Sequence, residues 1–127
     1  MRLLLDTCTF LWLAGGQPLS DGAAAAVGAT SNDVYLSAVS VWEIATKHRA
    51  GRLPLPEPPE RLVPTERELR GVLPLPFDEE SAFQVMRLPA LHRDPFDRML
   101  ISQAIALGLA IVTPDPQIAQ YPVRVIW

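Results

Sequence analysis

Four carboxylates stand where a chain alternating apolar strands with helices could gather them: Asp6, Glu43, Asp97 and Asp115. Asp6 ends the apolar run Arg2 to Leu5, and Asp115 follows the apolar run Leu109 to Thr113 by two residues. Glu43 falls in the second turn of a helix opened by Ser37, and Asp97 in the first turn of a helix opened by Asp94-Pro95. In an open parallel sheet, the carboxyl ends of the strands and the starts of the following helices share one edge. Ligands bind there where strand order reverses. Acids crowded on one edge repel unless neutralised, and hard oxygen donors suit magnesium or manganese rather than zinc. Each acid also has a plainer explanation. Asp6 and Asp115 suit helix N-caps, Asp94-Pro95-Phe96-Asp97 and Ser40-Val41-Trp42-Glu43 read as capping boxes, and Glu43 with Lys47 makes an i,i+4 ion pair. Capping does not require the acids to share an edge; a metal site does.

The elements that must position them follow from periodicity and punctuation. Arg2 to Leu5 reads as a strand buried on both faces. Thr7 to Leu13 forms a brief helix ended by Gly15-Gly16, and Ser20 or Asp21 caps a helix over 22–29 weakened by Gly22 and Gly28. After a turn at Asn32-Asp33, Val34 to Leu36 is a second strand, and a stronger helix runs from Ala38 to Ala50 with Gly51 as its stop. Five prolines between Pro54 and Pro64 predict a loop. Thr65 to Val72 is a modest helix, Leu73 to Phe77 an edge strand tolerant of proline, and Asp78 caps a helix from Glu79 to Leu88. The Asp94-Pro95 helix continues to Gly108, Leu109 to Thr113 is a central strand, Pro116 to Gln120 a short helix and Val123 to Ile126 the last strand. This alternation predicts one α/β domain over residues 1–127 with a mostly parallel sheet.

Composition narrows the function classes. A chain of 127 residues with 49% hydrophobic and 20% charged residues can build a real core. A net charge of -3 gives no footprint for bulk nucleic-acid binding, although a cation held by carboxylates can draw phosphate into an acidic pocket. Lys47 is the only lysine, so phosphate contacts fall to arginine. A single cysteine, Cys8, excludes an internal disulfide and a thiolate zinc cluster. No signal-peptide layout and no run of about 20 apolar residues is present, so a soluble, cytoplasmic protein is expected. The segment Ala38 to Ala45, apolar nearly all round, and Phe10-Leu11-Trp12-Leu13 form two apolar patches, part core and part subunit interface.

Taken together, Leu3-Leu4-Leu5-Asp6-Thr7, Leu36-Ser37-Ala38-Val39-Ser40-Val41-Trp42-Glu43-Ile44, His92-Arg93-Asp94-Pro95-Phe96-Asp97-Arg98-Met99-Leu100-Ile101 and Val112-Thr113-Pro114-Asp115 resemble a PIN domain of the VapC ribonuclease-toxin type. The resemblance covers essentially the whole chain, and its specificity lies in the four pieces occurring in this order. It departs from the pattern at Cys8, where related toxins often carry histidine, and at Pro114, where a small residue is common.

The resemblance implies a three-layer α/β/α sandwich around a central mostly parallel sheet. It implies a Mg²⁺- or Mn²⁺-dependent endoribonuclease, held inactive by a cognate antitoxin and assembled as a homodimer or toxin–antitoxin hetero-oligomer. Asp6, Glu43, Asp97 and Asp115 become the catalytic, metal-holding acids, with Asp94 supporting. Thr7 and Thr113 become candidates to orient water or phosphate, and Arg93 and Arg98 candidates to grip the RNA backbone. His92 reads as a loop residue rather than a general base. Two rival readings remain: a PIN-like interaction module without catalysis, and a phosphatase of the haloacid-dehalogenase type. The second needs an acid where Cys8 stands and a late lysine that the chain lacks.

Overall fold

The computed structural model describes residues 1–127. Its strands are β1 (Arg2–Leu5), β2 (Asp33–Ser37), β3 (Leu73–Leu75), β4 (Ala110–Val112) and β5 (Val125–Ile126). Its helices are α1 (Thr7–Ala14), α2 (Asp21–Gly28), α3 (Ala38–Arg49), α4 (Pro59–Leu69), α5 (Glu79–Arg87), α6 (Pro95–Leu107) and α7 (Pro116–Ala119). The strands lie in the order β3-β2-β1-β4-β5, and all four pairings are parallel. The expected mostly parallel sheet is therefore parallel throughout.

Side chains alternate across this sheet with a period of two, which separates the core into two layers. Leu3, Leu5, Val34, Leu36, Ala110 and Val112 face one way, against Phe10, Ala23, Ile44, Leu62 and Val63 from α1 to α4. Leu4 and Ile111 face the other way, against Leu100, Ile101 and Ala104 of α6 and Ile118 of α7. Leu3, Leu4 and Leu5 are wholly buried, each worth about 1.5–3 kcal/mol of burial. The three-layer sandwich thus follows from one run of leucines with an apolar surface on each side.

Strand order also determines where a site can form. The chain runs outward from β1 to β2 and β3, then returns to β4 on the other flank of β1. The boundary between β1 and β4 is the point of reversal, and Asp6 and Thr113 immediately follow those two strands. The Asp6 N–H donates to Val112 O at 3.3 Å, and the Thr113 N–H to Ile126 O at 3.1 Å, so both residues remain tied to the sheet.

One expectation changes. The proline-rich loop gives way at Pro59, where α4 begins, and the helix carries Pro64 in its interior. Pro59 loses nothing in the first turn, where its missing N–H would have no helical partner. Pro64 deprives the Glu60 carbonyl of a bond, but Glu60 is exposed and solvated, while Leu62 and Val63 are buried beneath. Tertiary burial prevails over propensity. In α3, Trp42 is 56% exposed despite the apolar surroundings, with its ring edge-on to Phe96 at a centroid distance of 5.2 Å. No helix is long and apolar enough to cross a membrane.

Gly22, a weakness by propensity, has a packing role. A Cβ there would lie 2.6 Å from the Trp127 carbonyl oxygen, whereas one at Gly28 would meet nothing within 4 Å. Gly22→Ala is expected to destabilise by about 1–2 kcal/mol despite the gain in helix propensity. Gly28→Ala is expected to be neutral or to stabilise by up to about 1 kcal/mol. Urea unfolding of the two variants side by side checks the contrast.

Candidate active site

Asp6 is held at three points. Besides its backbone tie to β4, it is the N-cap of α1, with Oδ1 accepting the Thr9 N–H at 2.7 Å. Its Oδ2 accepts the Thr113 hydroxyl at 2.5 Å, and Thr113 Oγ1 in turn accepts the Asp115 N–H at 3.0 Å. Thr113 therefore couples the acid after β1 to the acid after β4. Asp115 itself caps α7, accepting the Gln117 N–H at 2.9 Å.

From the other side comes α3. Its N-cap is Ser37, which accepts the Val39 N–H at 3.1 Å. Ser40 thus lies inside the helix, and the expected Ser40–Glu43 capping box does not form. Ser40 Oγ instead stands 3.0 Å from Thr7 Oγ1, whose hydroxyl donates to Glu43 Oε1 at 2.7 Å. Glu43 Oε2 takes the expected ion pair with Lys47 at 2.5 Å. Asp6 and Glu43 are each only 6% exposed, so these polar partners offset the cost of burying the carboxylates.

Asp97 is delivered by α6. Asp94 caps that helix, with Oδ1 accepting the Phe96 N–H at 2.9 Å and the Asp97 N–H at 3.1 Å. Asp97 Oδ2 faces His92 Nε2 at 3.2 Å, and Oδ1 has no hydrogen-bond partner in the protein.

The electrostatics report convergence. Burial raises the Asp6 carboxyl above its usual range, opposed by the Thr113 and Thr9 hydrogen bonds and assisted by the charge of Asp115. Burial is also the first cause for Asp97, whose pKa rises from 3.8 to about 6; the charges of Asp94, Asp115 and Glu43 push the same way, against the His92 hydrogen bond. Cys8 lies beside the same group: burial, then the charges of Asp6 and Glu43, raise its thiol. Thiolate chemistry is thereby disfavoured. The charge of Asp115 thus reaches both Asp6 and Asp97, and that of Glu43 reaches Asp97, which capping alone does not require.

Whether such a group suits a divalent cation depends on donors and spacing. No three His, Cys, Asp or Glu side chains come together as a group that could hold a metal ion. Magnesium typically keeps several waters and takes one or two carboxylates. The donors here are hard oxygens, Asp97 Oδ1 is unengaged, and the crowding of negative charge is relieved by a cation. The residues therefore fit a hydrated ion bound through few direct contacts.

The remaining expected residues divide. Arg93 is exposed and makes no protein hydrogen bond. Arg98 Nη1 is engaged by Pro89 O at 2.9 Å and Tyr121 Oη at 3.1 Å, so this part of its guanidinium serves the fold. Sequence reasoning did not single out Ser40 as a partner of Thr7, nor Tyr121. Tyr121 lies 29 residues from the His92 it contacts, and no local pattern marks it.

A family model for the PIN domain matches residues 3–123, and the chain belongs to the PIN-domain family. Over 47 residues it is 47% identical to ribonuclease VapC16 of Mycobacterium tuberculosis; that match spans 37% of this chain and 33% of the relative. Among solved structures it is similar to VapBC2 of Rickettsia felis bound to a DNA fragment from their promoter, with a TM-score of 0.75 at 17% identity over 98% of this chain and 97% of that one. It is also similar to VapBC-5, from a toxin–antitoxin family of M. tuberculosis, with a TM-score of 0.61 at 18% identity over 98% and 94%. FitAcB of Neisseria gonorrhoeae gives 0.63 at 23% identity over 97% and 95%. At these identities the structural likeness concerns the fold.

The raised Asp97 pKa carries a stability consequence. Between 3.8 and about 6 the folded protein retains a proton that the unfolded chain releases. The Asp97 contribution to metal-free stability is therefore fully present below this window, falls as pH rises through it and is lost above it. Asp97→Asn is expected to stabilise the metal-free protein at pH 7.5 by about 1 kcal/mol after solvent screening, and to change it little near pH 4. Thermal melts at both pH values check this; no gain at pH 7.5 would contradict it.

Proposed function

We propose that this chain is a Mg²⁺- or Mn²⁺-dependent endoribonuclease toxin neutralised by an antitoxin protein. The observation that carries the reading is the Thr113 bridge between Asp6 and Asp115 at the strand-order reversal, where the charges of Asp115 and Glu43 also reach Asp97. Membership of the PIN family and the local match to a VapC ribonuclease support it. An acid cluster of this kind serves phosphodiester hydrolysis, whereas Cys8 occupies the position where a dehalogenase-type phosphatase needs its second acid.

Asp6 and Asp97 would hold the cation, directly or through water, with Glu43 and Asp115 completing the surroundings. When bound, such an ion polarises a phosphodiester oxygen and lowers the pKa of water towards neutrality. The protein's own groups do the positioning. Thr113 orients Asp6 by donating to Oδ2 and, with Thr7, offers hydroxyl oxygens at the edge of the site. Lys47 balances the charge of Glu43 through their ion pair. Arg93, exposed and free of protein hydrogen bonds, would meet substrate phosphate, and Arg98 would contribute whatever its internal bonds leave free.

Two apolar concavities support a protein partner. One, of 610 Å³, includes Leu36, Val41, Trp42 and Leu75; the other, of 440 Å³, includes Leu11, Trp12, Leu53 and Leu62. One suits an antitoxin segment and the other a second copy of the chain. An antitoxin arginine reaching the acids would quench the charge that the cation otherwise relieves.

Hydrolysis of a structured RNA is expected with Mg²⁺ or Mn²⁺ and not with EDTA. Asp6→Asn and Asp97→Asn should each lower the rate roughly 100-fold or more, equivalent to about 2.7 kcal/mol of barrier. Activity that survives both substitutions would refute the metal-nuclease reading and favour an interaction module. Thr113→Val should cost about 10-fold through loss of Asp6 orientation, with RNA affinity largely kept; single-turnover rates and filter binding separate the two effects.

A further inference from the structure

Next to the acids lies a buried hydrogen-bond chain for which the nuclease reading has no use. Tyr121, 3% exposed, follows α7 and places its phenol beside His92, with the two rings edge-on. Three groups converge on Tyr121 Oη: the His92 backbone N–H at 3.1 Å, Arg98 Nη1 at 3.1 Å and His92 Nδ1 at 2.7 Å. The first two are donors and nothing else. A phenol oxygen accepts at most two hydrogen bonds and donates one, so both acceptor places are filled and its own hydrogen must point at Nδ1. Nδ1 is then the acceptor, and the ring N–H sits on Nε2. That nitrogen is the one facing Asp97 Oδ2 at 3.2 Å.

We propose that His92 is a positioning residue for Asp97, locked by Tyr121 and Arg98 as the Nε2–H tautomer so that it donates to Oδ2 and leaves Oδ1 to the site. The inference rests on the reading of Asp97 as a cation ligand. The lock has all its parts in place. The same Arg98 Nη1 also donates to the Pro89 carbonyl at 2.9 Å, just ahead of the loop carrying His92, which anchors the strut. Asp94 holds the Asp97 backbone by capping the same helix. Backbone and side chain of Asp97 are thus restrained from two directions, and one carboxylate oxygen is withdrawn from rotation. Hydrogen bonds to a ligating carboxylate typically affect metal affinity 10- to 100-fold. The chain also gives Arg98 a role: it is the strut that fills the second acceptor place on the phenol, without which Tyr121 could accept from Nδ1–H instead.

The test begins in metal-free protein. Long-range ¹H–¹⁵N correlation spectra of histidine-labelled protein should show His92 as the Nε2–H tautomer, and Tyr121→Phe should bring in the Nδ1–H form. Mn²⁺ titration by calorimetry should then give a Kd at least about 10-fold weaker for His92→Phe. His92→Gln, whose side-chain amide can donate from about the place of Nε2, should stay closer to wild type. A predominant Nδ1–H tautomer in the wild type overturns the proposal, as does a folded His92→Phe protein that binds Mn²⁺ within twofold of wild type. Should His92→Phe fail to fold, the wild-type tautomer and the Mn²⁺ affinity of Tyr121→Phe decide, with unchanged affinity counting against the lock. Failure of the wild type to cleave RNA while these spectra and affinities hold would sink the nuclease reading alone.

Discussion

The Thr113 hydroxyl donates to Asp6 Oδ2 and its oxygen accepts the Asp115 N–H, and the rest of the site depends on this double use. The bond spans 107 residues of chain. It can form only because β1 and β4 are neighbours in parallel register, with Leu5 opposite Val112. The same register places the start of α1 and the start of α7 side by side. The acids that cap those two helices therefore lie close enough for the charge of Asp115 to raise the proton affinity of Asp6. A capping role and a site role are not alternatives here. The N-terminal helix dipoles that favour Asp6 and Asp115 as caps also make it tolerable to gather negative charge on one edge.

Charge crowding is a cost that the fold absorbs by distributing partners unequally. Asp6 has a hydroxyl and a backbone N–H, Glu43 a hydroxyl and the only lysine, Asp97 an imidazole on one oxygen and nothing on the other. Asp97 is raised to about 6 by burial first and by the charge of Asp94 next, with only the His92 hydrogen bond opposing them. Protein groups orient the acids and leave one oxygen of Asp97 without a partner in the protein.

Much of this was legible before any coordinates. The strands at both faces of the core, the edge position of the proline-tolerant β3, the caps Asp6, Ser37, Asp78, Asp94 and Asp115, and the Glu43–Lys47 pair all follow from local chemistry. Misreadings came where a local rule met a non-local one. Pro64 sits in a helix because Leu62 and Val63 need burial, and Ser40 turns to Thr7 because α3 starts at Ala38 rather than after Ser40. Trp42 stays largely in solvent, because the face of α3 that carries it borders an open concavity instead of the sheet.

The linear chain by itself determined its continuous apolar runs, its helix starts and stops, and which residues carry hard-oxygen chemistry. These properties depend on a residue and its neighbours within a turn or two, which is the range over which capping and side-chain spacing act. Only the tertiary structure decided that β4 returns beside β1, that Thr113 bridges two of the acids, and that Tyr121 stands behind His92 with Arg98 as its strut. Those contacts join residues brought together by strand order and helix packing. Local propensity contains no term for them, because each depends on where distant parts of the chain are placed when the core is buried.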